Sequence, residues 1–246
     1  MPGNDIQGGF SSHILVPASQ LCEVPLDDNG RPKGAADITL AELSVIADAV
    51  TTPYQSVVES GLGPDDTAIF IGLGGVGGFG AQIAKAFGAM VIGIDVDADK
   101  IAAMAPYVDK TFNASEVPFK ELRKAISALV KEQGRRSTEW KIFETSGTAA
   151  GQNTAFGLLT FGASLQVVGF TMETVDIRLS NLMAFHATAR GNWGCLPEYY
   201  PKVLKLVLDD RVKVRPFVET FPLDRINEVF EKCHHRQIKK RPVMVP

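Results

Sequence analysis

Residues 67–100 constrain the fold of this chain more than any other stretch, because they follow the order strand, glycine turn, helix, strand and acid. An apolar run comes first, a G-x-G-x-x-G pattern follows at Gly72, Gly74 and Gly77, and Asp95 closes the second apolar run. In such a unit the first glycine permits a tight turn, the second lets a ligand approach the backbone, and the third lets the helix pack closely on the strand. The order therefore predicts a βαβ unit around a phosphate-binding turn.

A dinucleotide is the ligand that this arrangement favours. The helix that begins at Gly77 would offer free N–H groups and a partial positive charge to a diphosphate. Asp95 would accept hydrogen bonds from the adenosine ribose, which favours NAD over NADP, and no arginine adjoins it. A lone glycine pattern is weak evidence for a dinucleotide site. Here an apolar strand precedes the pattern, and a helix, a second strand and an acid follow it, as such a site requires. A methyltransferase would usually carry an acid just before the first glycine, where this chain has Ile71.

Composition narrows the class of protein. The chain has 246 residues, 45% of them hydrophobic, which is enough for one domain or two small ones. A net charge of −3 without a basic run argues against nucleic acid as a partner. Residues 67–84 are uncharged, but their glycines predict a buried strand-turn-helix and no membrane span. The three cysteines form no C-x-x-C pair; they are Cys22, Cys195 and Cys233. The first residues also lack the basic and apolar regions of a secretory signal, so we expect a reducing, cytoplasmic setting.

The middle of the chain alternates between strand and helix patterns, which predicts an α/β fold with a doubly wound parallel sheet. The expected strands are 67–72, 90–95, 108–112, 140–144, 164–169 and 187–192. The expected helices between them are 77–87, 97–104, 116–133, 148–159 and 179–185.

The two ends of the chain do not show this regular alternation of strand and helix patterns. Residues 8–26 predict short strands and turns, and residues 27–38 a polar loop. A capping box at Thr39 and Glu42 predicts a helix through Ala47, and Thr52-Pro53 begins another. Beyond Trp193 the expected elements are helices at 197–210 and 224–234 and strands at 216–221 and 240–245.

The glycine turn, GLGGVG at 72–77, and the order of elements resemble the zinc-type medium-chain dehydrogenase/reductase superfamily. The resemblance covers essentially the whole chain and implies three parts: a remnant of a GroES-like catalytic barrel at 1–50, an NAD-binding Rossmann domain at 51–193, and a return to the barrel at 194–246. Members of the superfamily carry about a hundred further residues ahead of the position that matches Met1 of this chain, and their first two zinc ligands lie there. We therefore expect a truncated form that retains the dinucleotide fold with weak or no turnover.

Three stretches give a narrower resemblance: PGNDIQGGFSSHI, FETSGTAAGQNTAFGLLTFGASLQVVGFT and RLSNLMAFHATARGNWGCLPEYYP. They resemble dehydrogenases that use NAD to oxidise a ring hydroxyl of an acyl-CoA. The implied activity is oxidation of a CH–OH group, with a small-molecule alcohol or acyl-CoA as substrate. In the superfamily, the region that corresponds to residues 175–187 pairs Rossmann domains, which implies a homo-oligomer.

The resemblance implies one catalytic metal ligand in this chain. Asp48 precedes the run Thr51-Thr52-Pro53-Tyr54, where the superfamily carries its third zinc ligand. A carboxylate oxygen can bind zinc, and a complete site would polarise the alcohol oxygen of the substrate. Catalytic zinc needs three protein ligands, so the site in this chain is expected to be incomplete. The alternative is that Asp48 is an ordinary acid at the end of a helix.

Further cofactor contacts also follow from the resemblance. Gly75 and Val76 belong to the turn, Lys100 is the expected second ribose contact, and Val168 with Gly169 would face the nicotinamide carboxamide. Thr145, with its neighbour Ser146, would line the same cleft, and Arg241 would contact the pyrophosphate. Lys100 could instead be an exposed helix lysine, and Arg241 could belong to the solvated basic run 239–241.

Two alternatives to the enzyme remain open on the sequence. One is an inactive dinucleotide-binding module. The other is a zinc-independent quinone reductase relative, which Asp48 and Asp95 disfavour.

Overall fold

The computed structural model describes Gly3, residues 5–235 and residues 237–246. Part of the expected barrel remnant at 1–50, namely residues 1, 2 and 4, lies outside the described residues. The chain divides into two compact units, one made of residues 1–48 and 196–246 and the other of residues 49–195. We call them the terminal unit and the sheet unit. Their elements are, in chain order, α1 Leu40–Leu43, α2 Thr51–Glu59, β1 Thr67–Ile71, α3 Gly77–Ala86, β2 Met90–Asp95, α4 Ala98–Met104, β3 Lys110–Asn113, α5 Phe119–Glu132, β4 Lys141–Glu144, α6 Ala149–Gly157, β5 Ser164–Val167, α7 Ser180–Ala184, β6 Thr188–Gly191, α8 Tyr200–Leu208, β7 Val218–Pro222, α9 Ile226–His234 and β8 Arg241–Val245.

The sheet unit is built on six parallel strands in the order β3-β2-β1-β4-β5-β6. This order reverses direction between β1 and β4, and ligands of open α/β sheets bind outside the carboxyl ends of the strands at such a point. The predicted doubly wound parallel sheet is therefore confirmed. The uncharged stretch at 67–84 is β1, the glycine turn and the start of α3, as its glycines predict.

Side chains alternate across the central strands, and both faces of the sheet are buried. Ile69 and Ile142 belong to the core cluster that contains residues of α5 and α6. Phe70 and Phe143 belong to the opposite face and stack with ring centroids 4.4 Å apart. The helix α3 covers this second face closely at Gly80, where an added Cβ would lie only 2.5 Å from the Phe70 ring. Burial on both faces explains why these strands are continuously apolar.

The terminal unit joins the two ends of the chain. Strands β7 and β8 pair in parallel, from Val218 opposite Arg241 to Pro222 opposite Val245. Its buried side chains come mainly from α8 and from the segments around it, and they include Leu43, Val203, Val207, Val214 and Val243. The helix α1 begins with the predicted capping box, in which Thr39 Oγ1 accepts from Glu42 N and Glu42 accepts from Thr39 N.

The expectation of short strands at 8–26 is wrong. The described part of that stretch contains a single 3₁₀ turn at Ala18–Gln20 and one isolated bridge, between Leu26 and Pro32. A strand forms only with a partner in register, and the prolines at 17 and 25 cannot donate to a ladder. Apolar side chains of this stretch are instead exposed, and Leu15 is 88% exposed.

None of the helices in the described part of the chain is long and apolar enough to cross a membrane.

Candidate dinucleotide site

The turn between β1 and α3 needs glycine at its first and last positions. Gly72 has φ of +94°, and a Cβ there would lie 2.6 Å from Ser146 N, at the end of the neighbouring strand β4. A Cβ on Gly77 would lie 1.9 Å from Gly72 O and 2.4 Å from Thr145 Oγ1. Real Cβ atoms do not approach backbone oxygens this closely, so the turn can be this tight only with glycine at both positions.

The middle of the turn is open. A Cβ on Gly74 would meet nothing within 4 Å, so this backbone is free for a ligand to approach. Gly75 is exposed and Val76 partly exposed. Val76 is the N-cap of α3 and makes no side-chain cap hydrogen bond. An uncapped helix start beside a bare glycine backbone is a favourable site for a diphosphate.

Asp95 ties the end of β2 to the glycine turn. Its Oδ2 accepts a hydrogen bond of 2.6 Å from Leu73 N, inside the turn. Its Oδ1 accepts from Val96 N at 2.7 Å and from Asp97 N at 3.0 Å. These three donors fix the carboxylate at the carboxyl end of the sheet, beside the turn. Because carboxylate oxygens have further lone pairs, the same group can also accept from a sugar hydroxyl.

Lys100 lies in the first turn of α4, one element beyond Asp95. Its Nζ is 4.0 Å from Asp97 Oδ2, and its side chain is about half exposed. Asp97 is the N-cap of this helix and accepts from Asp99 N and Lys100 N. The geometry is compatible both with a ribose contact and with an ordinary surface lysine.

The remaining predicted contacts of the sheet unit follow β4 and β5. Thr145 Oγ1 lies 2.9 Å from Ile71 O and 2.7 Å from Gly72 O, so Thr145 is part of the wall of the glycine turn. Val168 N and Gly169 N both donate to Glu144 O at 2.9 Å. The sheet therefore brings the glycine turn, Asp95 and Thr145 to one edge, and Val168 and Gly169 follow the next strand at the same edge.

One residue at this edge was missed by the sequence analysis. Glu144 ends β4 and is fully buried. Its Oε1 accepts from Ser146 N at 2.8 Å and from Ser146 Oγ at 2.5 Å. The available signal was an acid at the end of the otherwise apolar run Ile142-Phe143.

Two predicted ligand contacts meet each other in the terminal unit. Arg241 Nη2 donates to Asp48 Oδ2 at 2.8 Å. Asp48 follows the 3₁₀ turn Ser44–Ala47, and 63% of its side chain is exposed. The expected pyrophosphate contact and the expected zinc ligand are thus joined as an ion pair.

The described residues do not fit a zinc site. No three His, Cys, Asp or Glu side chains come together within Gly3, 5–235 and 237–246 as a metal ion would require. The Asp48 carboxylate already has a guanidinium partner, and one carboxylate alone cannot supply the three protein ligands of catalytic zinc. The dinucleotide, in contrast, fits the open turn and the fixed carboxylate beside it.

Comparison with known proteins agrees with this fold. Residues 75–209, more than half of the chain, match the family of zinc-binding dehydrogenases. An alcohol dehydrogenase of Geobacillus stearothermophilus is 27% identical over 244 residues, which are 98% of this chain and 66% of that protein. A second alcohol dehydrogenase of the same organism is 23% identical, and the chain again spans 66% of its length.

Solved structures share the fold at lower identity. The galactitol-1-phosphate dehydrogenase of Escherichia coli superposes with a TM-score of 0.82 at 19% identity, over 98% of this chain and 68% of that one. The alcohol dehydrogenase of Aeropyrum pernix gives 0.81 at 23% identity, over 100% of this chain and 67% of that one. The matched residues begin inside the glycine turn, at Gly75, and continue to the end of α8, so they contain Gly77 and Asp95 but not β1 or the first two glycines of the turn. The chain belongs to the family of zinc-binding dehydrogenases.

Proposed function

We propose that this chain forms the NAD-binding part of an oxidoreductase that acts on an alcohol. The observation that carries the proposal is the glycine turn with an open backbone at Gly74, joined to Asp95 through Leu73 N. The family supports the reaction class, because the curated relatives that match nearly all of this chain are alcohol dehydrogenases.

Each contact of the site has a role in the proposal. Bound NAD would supply the acceptor for the hydride that leaves the alcohol carbon. The start of α3 would neutralise the diphosphate, and the Asp95 carboxylate would accept from the adenosine ribose hydroxyls. Lys100 would make a second ribose contact, and Thr145, Val168 and Gly169 would border the nicotinamide end.

Asp48 and Arg241 keep their proposed roles as a zinc ligand and a pyrophosphate contact only if their ion pair opens. The donor set around Asp48 does not make a zinc site among the described residues, so we assign zinc no step. The parts of the chain would then be a piece of a catalytic domain at 1–50 and 194–246 and the NAD-binding domain at 51–193. A cytoplasmic setting belongs to the same proposal.

A finer substrate can also be proposed. The stretches that begin at Pro2, Phe143 and Arg178 resemble an enzyme that oxidises 6-hydroxycyclohex-1-ene-1-carbonyl-CoA to its 6-oxo product. We propose this acyl-CoA alcohol of anaerobic benzoyl-CoA degradation as the substrate. An assay with this thioester and a simple secondary alcohol, each with NAD, checks the proposal, because turnover of the simple alcohol alone would contradict it.

The first test is binding. Calorimetric titration of the folded chain with NADH should give a measurable heat, and Asp95→Ala should weaken binding about tenfold or more, because a charge-assisted hydrogen bond is lost. No heat at millimolar NADH, or equal binding by the variant, would contradict the proposed site. Tighter binding of NADPH than of NADH would instead favour the quinone reductase alternative.

Turnover and zinc content distinguish an enzyme from an inactive dinucleotide-binding module. Steady-state oxidation of an alcohol together with tightly bound zinc would favour the enzyme. NADH binding without turnover on any alcohol, in a chain that retains no zinc after dialysis, would favour the module.

A further inference from the structure

A cavity of about 140 Å³ lies in the sheet unit, on the face of the sheet that α6 covers. Its floor is the end of β4 and β5, and its cover is the segment 175–182. Most of its walls are apolar, and they include Phe156, Leu165, Val167, Ile177, Leu179 and Leu182.

One wall of the cavity carries a buried carboxyl group. Glu144 lines it, and none of the Glu144 surface is accessible to solvent. Its Oε1 is satisfied by Ser146 N and Ser146 Oγ. Its Oε2 is buried and has no hydrogen-bond partner among the described residues. A buried polar atom without a partner costs free energy, so a donor that reached it would be bound favourably.

The size of the cavity defines the size of the ligand. In another protein, an engineered apolar cavity of about 150 Å³ stays dry and binds benzene. A cavity of about 140 Å³ with comparable walls therefore has room for a single ring. The orphan oxygen of Glu144 defines the chemistry, because a carboxyl oxygen without a partner can accept a hydrogen bond from a ligand.

We propose that this cavity binds a small molecule with one apolar ring and one hydroxyl donor, and that the donor bonds to Glu144 Oε2. The site goes beyond the proposed dinucleotide function, which uses the glycine turn and Asp95. Glu144 also braces Ser146, whose backbone packs against Gly72, so the ligand would bind next to the support of that turn.

Two fluorinated probes test the proposal by ¹⁹F NMR titration of the intact chain. 4-Fluorophenol carries the ring and the donor, and fluorobenzene carries the ring alone. We expect 4-fluorophenol to bind about tenfold more tightly, because its hydroxyl gains a hydrogen bond to Glu144 Oε2. Equal affinities, or no binding of either probe at millimolar concentration, would overturn the proposal.

Two variants of β6 locate the bound probe. Ala189 lines the cavity and is exposed, so Ala189→Phe should fill it and weaken 4-fluorophenol binding about tenfold with little effect on folding. Thr188 is the exposed neighbour, and its side chain faces the other side of the sheet because strand side chains alternate. Thr188→Phe should leave binding unchanged. Equal effects of the two substitutions would place the probe elsewhere and overturn the proposal.

Glu144→Gln tests the acceptor of the proposed hydrogen bond. The amide oxygen can still accept from Ser146 N, while the amide NH₂ replaces the orphan acceptor with a donor. The variant should therefore lose the preference for 4-fluorophenol over fluorobenzene and gain affinity for 4-fluoroanisole, with circular dichroism confirming the fold. Should this variant not fold, the two β6 variants decide the question. A retained preference for the phenol in folded Glu144→Gln would overturn the proposal.

Two further outcomes identify other occupants. Displacement of 4-fluorophenol by NADH would show that the cavity belongs to the dinucleotide site and would overturn the proposal. Loss of a dimer in Ala189→Phe, by sedimentation, with no probe binding to the unsubstituted chain, would show that a second copy covers the face and would overturn it too. Failure of NADH to bind, with the phenol still bound, would contradict only the proposed dinucleotide function.

Discussion

At the residue scale, the carboxylate of Asp95 has two functions. It links the end of β2 to the glycine turn through Leu73 N and accepts from two local backbone donors, and it is the proposed acceptor for the ribose hydroxyls. A group that is already fixed by the protein needs no reorganisation when the sugar arrives. Its negative charge also disfavours a 2′-phosphate, so a single side chain can set both affinity and the choice of dinucleotide.

Replacement of this charge should change the choice of dinucleotide. In Asp95→Asn one acceptor oxygen remains, but the repulsion of a 2′-phosphate is lost. We expect NADH binding to weaken about tenfold and the preference for NADH over NADPH to fall by a similar factor, as fluorescence titrations with both would measure. Asp97→Asn is the matched control, because it removes the same charge two positions away and asparagine is an equally good N-cap for α4. An unchanged preference in Asp95→Asn would argue that the carboxylate does not face the ribose.

Single residues could be predicted where a local pattern has a known use, and not where partners are distant in sequence. The three glycines and Asp95 were found because their spacing within one βαβ unit is defined. The ion pair between Asp48 and Arg241 joins residues at the two ends of the chain, and no local pattern contains such a pair. Glu144 was missed because burial of an acid is a property of the packed sheet.

At the element scale, the strands and helices of the sheet unit were predicted with boundaries within three residues. Each of these elements carries its own signal, an apolar run or a helical repeat bounded by glycine or a cap. The expectation of strands at 8–26 was wrong because a short apolar stretch does not show whether a partner strand exists. The strand order depends on pairing across the sheet, which no single strand reveals, so the sequence predicted a doubly wound parallel sheet without its strand order.

The glycine turn allows stability and binding to be separated. In Gly77→Ala the new Cβ would collide with Gly72 O and Thr145 Oγ1, so we expect a loss of about 1–3 kcal/mol in the free energy of unfolding. In Gly74→Ala the Cβ meets no atom, so stability should stay within about 0.5 kcal/mol of the original. NADH binding should nevertheless weaken about tenfold in Gly74→Ala, because the methyl group covers the backbone that the diphosphate would approach.

Urea unfolding followed by circular dichroism gives the stability of each variant, and calorimetry gives its NADH affinity. A stable Gly77→Ala would contradict the tight packing of α3 on the turn. Undiminished NADH binding by Gly74→Ala would argue against a diphosphate at this turn.

The helix α9 offers a prediction about pH. Glu228 accepts from Arg225 Nη2 at 2.7 Å and from Lys232 Nζ at 2.6 Å, and the hydrogen bond from Arg225 is the main cause that lowers the pKa of Glu228 from 4.5 to about 2. A carboxylate whose pKa is lower in the folded state stabilises the fold above its unfolded pKa, and the effect is lost as the pH falls through the folded pKa. The advantage of the unsubstituted chain over Glu228→Gln should therefore be largest above pH 4.5 and shrink towards pH 2.

Thermal unfolding of both proteins across this pH range measures the difference. Because the group is exposed, we expect a small difference that about 1 M salt reduces further. Glu116→Gln is a useful control, because it changes the same residue type outside α9. A difference in unfolding temperature that grows as the pH falls would contradict the assignment.

At the scale of the whole molecule, the sheet unit exposes several large apolar side chains. Phe170, Met172, Leu179, Met183 and Trp193 are all more than two-thirds exposed, and they fall within one short stretch of the chain. Exposed apolar side chains that lie close together are typical of interaction surfaces. The resemblance to the superfamily assigns residues 175–187 to subunit pairing, so we propose that two copies of the chain associate through this stretch.

A single charge on this surface should separate the copies. Met183 lies in α7 and is 78% exposed, so Met183→Asp removes apolar surface and, in a symmetric pair, adds the charge on both sides of the interface. We expect dimers of the unsubstituted chain and mainly monomers of the variant in sedimentation velocity at micromolar concentration. Asn181→Asp is the matched control, because it adds the same charge to the same helix without removing an apolar side chain, and it should weaken the dimer less. A monomeric unsubstituted chain, or dimers that survive Met183→Asp, would show that this surface serves another contact.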